Sequence, residues 1–84
     1  MKKFRQSIYE AEHLILREWL VEKRKELGLT QRQLAERLEV VHSLIGKVEK
    51  GERRLDFIEC IAYCKALELS AEDMLILINK ISDY

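Results

Sequence analysis

The stretch "QRQLAERLEVVHSLIGKVEK", Gln31 to Lys50, decides the fold. Leu34, Ala35 and Leu38 recur as one face of a helix does, and after a break Val41, Ile45 and Val48 repeat the pattern. The joining "EVV" has room only for a tight turn, so two short helices are expected over 31–38 and 42–50, crossing at a steep angle. Ala35 suits such a crossing, because helices that approach closely leave space for little more than a methyl group. At this length neither helix is stable alone, and the rest of the chain must hold them. On the second, Val41, Ile45 and Val48 fall on one face and His42, Ser43, Gly46, Lys47 and Lys50 on the other. A groove-reading helix has that division, and so does any solvated amphipathic helix; periodicity leaves both open.

Working outward, the chain is punctuated by helix signals. Ser7, Thr30, Asp56 and Ser70 each stand three residues before an acid or amide (Glu10, Gln33, Glu59, Asp73), the arrangement of a reciprocal N-terminal cap. Gly28 and Gly51 each follow a charged helical segment, where a left-handed C-terminal residue costs glycine least. With no proline and no period-two alternation, strands are not expected. The reading is all-α: a compact five-helix domain over 1–84, with helices near 8–27, 31–38, 42–50, 57–68 and 71–82 and a helix-turn-helix at 31–50. Helical spacing assigns Leu16, Leu20, Leu27, Leu34, Ala35, Leu38, Ile45, Val48, Phe57, Ile58, Ile61, Ala62 and Leu67 to one core.

Bulk properties narrow the function. At 84 residues the chain is short enough that only about 60 to 65% of its unfolded surface can be buried. Its formal net charge is zero, yet the distribution is uneven. Residues 1–22 balance, residues 23–54 carry nine basic and five acidic groups, and residues 55–84 carry two basic and six acidic. The middle third is therefore the part suited to a polyanion. The longest apolar run, Met74 to Ile78, is far short of a membrane span, and the basic start "MKKFR" is not followed by a signal core, so a cytoplasmic chain with no membrane partner is expected. Cys60 and Cys64, four apart on a helical pattern, read as reduced core-filling thiols. No acid pair, nucleophile elbow or phosphate-cradling glycine loop occurs, and His13 and His42 lie on different helices; neither catalysis, a metal nor a cofactor is expected.

The segment "LREWLVEKRKELGLTQRQLAERLEVVHSLIGKVEKGERRLDFIECIAYCKALEL", residues 16–69, resembles the xenobiotic-response-element-like, or phage Cro and repressor-type, helix-turn-helix regulators. "GLTQ", "QLAERL", "KVEKGERRLD" and "CKALEL" follow that family's order and spacing, and "SIYEAEH" resembles the lead-in of small bacterial members. The resemblance implies a lambda-repressor-like fold and double-stranded DNA as partner. It places His42, Ser43 and Lys47 at base edges, with Leu44 near a thymine methyl or sugar. It places Gln31, Arg32, Lys50, Arg53 and Arg54 at backbone phosphates. Arg24 and Glu49 resemble an ion pair tying the first helix to the reading helix. Three positions depart from the pattern: Glu39 stands at the usual turn glycine, Val41 at the usual Ser or Thr cap, and Gly46 replaces a mid-helix side chain.

The last helix has more apolar residues than one buried stripe needs, six of eight in "MLILINKI". Leu75 and Ile78 are expected to face the core, leaving Met74, Leu77 and Ile81 for a second copy, as in a two-fold dimer. The function expected is a sequence-specific transcriptional regulator acting as a homodimer on a palindromic operator. The alternative is a protein-interaction module, an antitoxin or adaptor on the same fold, with a protein partner.

Overall fold

The computed structural model describes residues 6–83, with side chains from Glu10 onward. Five helices follow in order: α1 Gln6–Glu26, α2 Gln31–Leu38, α3 His42–Lys50, α4 Phe57–Ala66 and α5 Ala71–Ser82. Among the described residues there is no strand, and no helix is long and apolar enough to cross a membrane.

Capping chemistry sets three of the starts. Thr30 Oγ1 accepts from the Gln33 N–H at 3.1 Å while the Thr30 N–H donates to Gln33 Oε1 at 2.8 Å. Asp56 with Glu59, and Ser70 with Asp73, repeat the exchange at 2.7 to 3.1 Å. Each satisfies backbone donors that a helix start leaves open. The backbone is already helical from Gln6, so Ser7, expected to cap the first helix, lies inside α1 with its side chain outside the described residues.

The ends share another device. Gly28, Glu39, Gly51 and Glu68 all adopt left-handed backbone. Past each, the next N–H reaches back to close the helix: Leu29 to Arg24 O, Val40 to Ala35 O, Glu52 to Lys47 O and Leu69 to Cys64 O, at 2.8 to 3.1 Å. Glycine does this at little cost; each glutamate loses about 1 to 2 kcal/mol. The turn at Glu68 explains why α4 ends at Ala66 instead of running to 68.

One core joins the helices. α1 contributes Trp19 and Leu20, α2 Leu34 and Ala35, α3 Ile45 and Val48, α4 and its cap Tyr63, Cys64 and Leu67, and α5 Leu77. α2 packs on α3 and α4, and α1 on α3 and α5. Leu16, Leu38 and Cys60 are half-buried at its edge.

Expectations change at three places in the fold. Phe57 and Ile58 are 74% and 71% exposed, and Ala62 is exposed as well. α4 is apolar around most of its circumference, so periodicity alone cannot choose its inner face; packing turns in Tyr63 and Cys64. Val41, assigned to the inner face of α3, is 71% exposed because it is the extended N-cap residue and lies off the helical period. On α5 the two faces exchange: Leu77 is buried, Met74 and Ile81 are half-buried against the core, and Leu75 and Ile78 are exposed. Met74, Leu77 and Ile81, expected at a dimer surface, are therefore occupied within the monomer. α5 packs against α1, and the side bearing Leu77 is the one turned inward.

Candidate nucleic-acid interface

α3 presents the candidate surface. Ile45 and Val48 anchor it to the core, and the opposite side leaves His42, Ser43, Lys47 and Lys50 exposed, with Leu44 half-buried beside them. The start of α3 lacks a side-chain cap, because Val41 has no oxygen to offer. The Leu44 N–H is met by Val41 O at 3.1 Å.

Orientation of α3 is set by a buried charge network. Arg24, 8% exposed, donates from Nε and Nη2 to the two carboxylate oxygens of Glu49 at 2.6 and 3.0 Å, and from Nη1 to Leu29 O at 2.7 Å. The pair joins α1 to α3 with the bidentate geometry that guanidinium and carboxylate favour. Gln31 completes it. Its Nε2 donates to Glu49 Oε1 at 2.8 Å, so the side chain expected at a phosphate is held on α3. What Gln31 keeps for an anion is its place in the first turn of α2, beside the exposed Arg32. Gly46 borders this network; a β-carbon there would stand in ordinary contact with Gln31 Oε1, at 3.6 Å.

The basic turn after α3 is also organised. Arg53 donates to both oxygens of Glu59, at 3.2 and 2.6 Å, and to Arg54 O at 2.9 Å. This hydrogen bonding holds the Glu59 carboxyl down at about 2 and raises Arg53. Arg54 lies 3.5 Å from Glu10 of α1. Both arginines of this turn, expected at phosphates, thus carry a carboxylate, which an incoming phosphate would have to displace or share.

One residue escaped the sequence reading. Arg17 of α1 lies across Gly51, its guanidinium carbon 2.7 Å from where a β-carbon would be. The missing side chain of Gly51 leaves that space to the guanidinium, and nothing in the linear spacing of Arg17 and Gly51 announces the contact. Nearby, burial and the charges of Arg54 and Arg17 lower the His13 pKa, with Glu10 and Glu12 opposing. Another side of α1 has the opposite polarity: Glu18, Glu22 and Glu26 line a shallow groove with Val21, Lys25 and Glu49.

Metal and thiol chemistry is sparse. No group of three or more His, Cys, Asp or Glu side chains is placed to hold a metal among the described residues. Cys60 and Cys64 are free thiols; hydrogen bonding between them brings Cys60 down to about 7 and pushes Cys64 up.

The family profile described as "Helix-turn-helix" matches residues 20–74, from the core leucine of α1 into the start of α5. The solved structure of an XRE-family like protein from Pseudomonas syringae pv. tomato str. DC3000 superposes with a TM-score of 0.81. It is 35% identical and the match covers 93% of this chain and 92% of that one. The chain belongs to the XRE-type helix-turn-helix family. No curated protein matches it. As a member of this family, the chain is a DNA-binding helix-turn-helix regulator. The XRE-type assignment covers both partners of the Arg24–Glu49 pair and the basic turn at 50–54.

Proposed function

We propose that the protein is a sequence-specific regulator that inserts α3 into the major groove of double-stranded DNA as a homodimer. The observation that carries this reading is the exposed set His42, Ser43, Lys47 and Lys50 on a helix locked in orientation by Arg24 and Glu49. Lys47 donates to guanine O6 and N7; His42 and Ser43 make less selective hydrogen bonds, and Leu44 lies against a thymine methyl or sugar. Arg32, Lys50, Arg53 and Arg54, with the first turn of α2 at Gln31, hold phosphates and set register.

The second copy docks on α5. Ala71, Leu75, Ile78 and Ser82 are all exposed and fall on one side of the helix, a charge-free strip in a chain that is 36% charged. A strip without charge meets its own copy across a two-fold axis without repulsion. Such a dimer suits a palindromic operator with half-sites one DNA turn, about 34 Å, apart. A protein-interaction role is the second reading, favoured by the exposed Phe57 and Ile58 on α4, which the α5 strip leaves uncovered.

The test is fluorescence anisotropy with a duplex from the gene's own upstream region and a scrambled duplex, at several salt concentrations. A regulator prefers the first by roughly 10³-fold or more and loses affinity steeply as salt rises. Equal, weak binding to both transfers the function to a protein partner.

A further inference from the structure

α1 carries a side that the proposed DNA reading uses only at Arg24. Glu10, His13, Arg17 and Arg24 are spaced by three, four and seven residues, so they form one stripe along the helix. The stripe follows α3 and its exit. Arg24 meets Glu49 inside α3, Arg17 meets Gly51 where α3 ends, and Glu10 and His13 lie near Arg54 in the turn beyond. Seven residues of helix are about 10 Å, so Arg17 stands two turns outward from the buried Arg24 anchor.

Its pairing differs from that of its neighbours. Arg24, Arg37, Arg53 and Arg54 each hold a carboxylate: Glu49, Glu68, Glu59 and Glu10. Arg17 has no carboxylate within ion-pair distance among the described residues, although it is half-buried and its guanidinium lies over Gly51, in the space a β-carbon would take. A guanidinium without an anion, lying where α3 ends and one residue from Lys50, is arranged to receive one. Phosphate diesters fit the planar fork of arginine.

We infer that Arg17, lying over Gly51 at the end of α3, is a contact to the DNA backbone phosphate, so that α1 extends the phosphate-binding surface beyond the helix-turn-helix. The inference rests on the proposed DNA reading. Arg17 then adds affinity without sequence information, since it touches phosphate and not bases.

Arg17→Gln tests it, by titration against the upstream and scrambled duplexes across a salt series. The expected result is a log–log salt slope smaller by about 0.9 and affinity about fivefold lower at 0.15 M salt, equally for both duplexes. Lys25→Gln, on the acidic-groove side of α1, leaves slope and affinity unchanged. An unaltered slope in Arg17→Gln, with or without a lower melting temperature, overturns the inference and leaves the DNA reading standing. Absence of salt-dependent binding by the unaltered chain overturns both. Phenylglyoxal modification of the unaltered protein, read by mass spectrometry, gives a second measure independent of the variant's folding. Bound duplex slows reaction at Arg17 if it meets phosphate; protection of Arg32 without protection of Arg17 counts against it.

Discussion

Glu39 shows what a single position contributes. Its backbone is left-handed, at φ 57° and ψ 42°, in the turn between α2 and α3. Glu39→Gly is expected to raise stability by about 1 kcal/mol, checked by urea denaturation. It also removes an anion from a turn beside the proposed phosphate path, so affinity for any duplex rises with it. Lys47 belongs at the same scale. Lys47→Ala is expected to lower the preference for the operator by roughly 10-fold or more, while Lys50→Ala weakens all duplexes alike. Equal losses on operator and random DNA in both variants would reject the division of roles. Periodicity showed that Lys47 lies on the outer face of its helix, the family resemblance alone proposed its role at a base, and Glu39 stood out as a departure from the family pattern. Arg17 was not readable from sequence, because its significance depends on Gly51, thirty-four positions away.

Among elements, α4 ties its own start to the basic turn. Glu59 accepts the Asp56 N–H as part of the cap and also holds Arg53, so one carboxylate connects two functions. Its pKa, about 2 in the folded chain against an ordinary 4.5, fixes the sign of a pH effect. The folded state favours the charged form, so the stabilisation is complete above pH 4.5 and is lost as pH falls toward 2. Denaturation across that window should show Glu59→Gln less stable than the parent at pH 6, with the gap closing near pH 2. A constant gap would place the effect in packing. The cap itself was legible as Asp56 three residues before Glu59; the Arg53 connection was not, since many rotamers of a long cation satisfy the same sequence.

For the molecule as a whole, the proposed meeting of two copies rests on α5. Leu77 is 5% exposed in the core, whereas Ile78 is 54% exposed beside it in sequence. Ile78→Asp is expected to leave the melting temperature nearly unchanged and to yield monomers in sedimentation velocity. Leu77→Ala is expected to cost about 2 to 5 kcal/mol, a large share of the roughly 4 to 13 kcal/mol available to a chain of this size. A dimeric Ile78→Asp moves the interface away from α5, with the exposed Phe57 and Ile58 of α4 the next surface to examine.

The sequence by itself determined the five helices, most of their bounds, three of the caps, the family, and the Arg24–Glu49 pair. These follow from local rules, since capping and helical period act within a few residues, and from a pattern spread over the middle of the chain. Tertiary structure alone decided which faces of α4 and α5 turn inward, that Gln31 joins the Glu49 network, and that Arg17 rests on Gly51. The physical reason is degeneracy. A helix apolar on most sides has several nearly equivalent inner faces, and a long charged side chain has several partners within reach. Only the shape left by the neighbouring helices removes the alternatives.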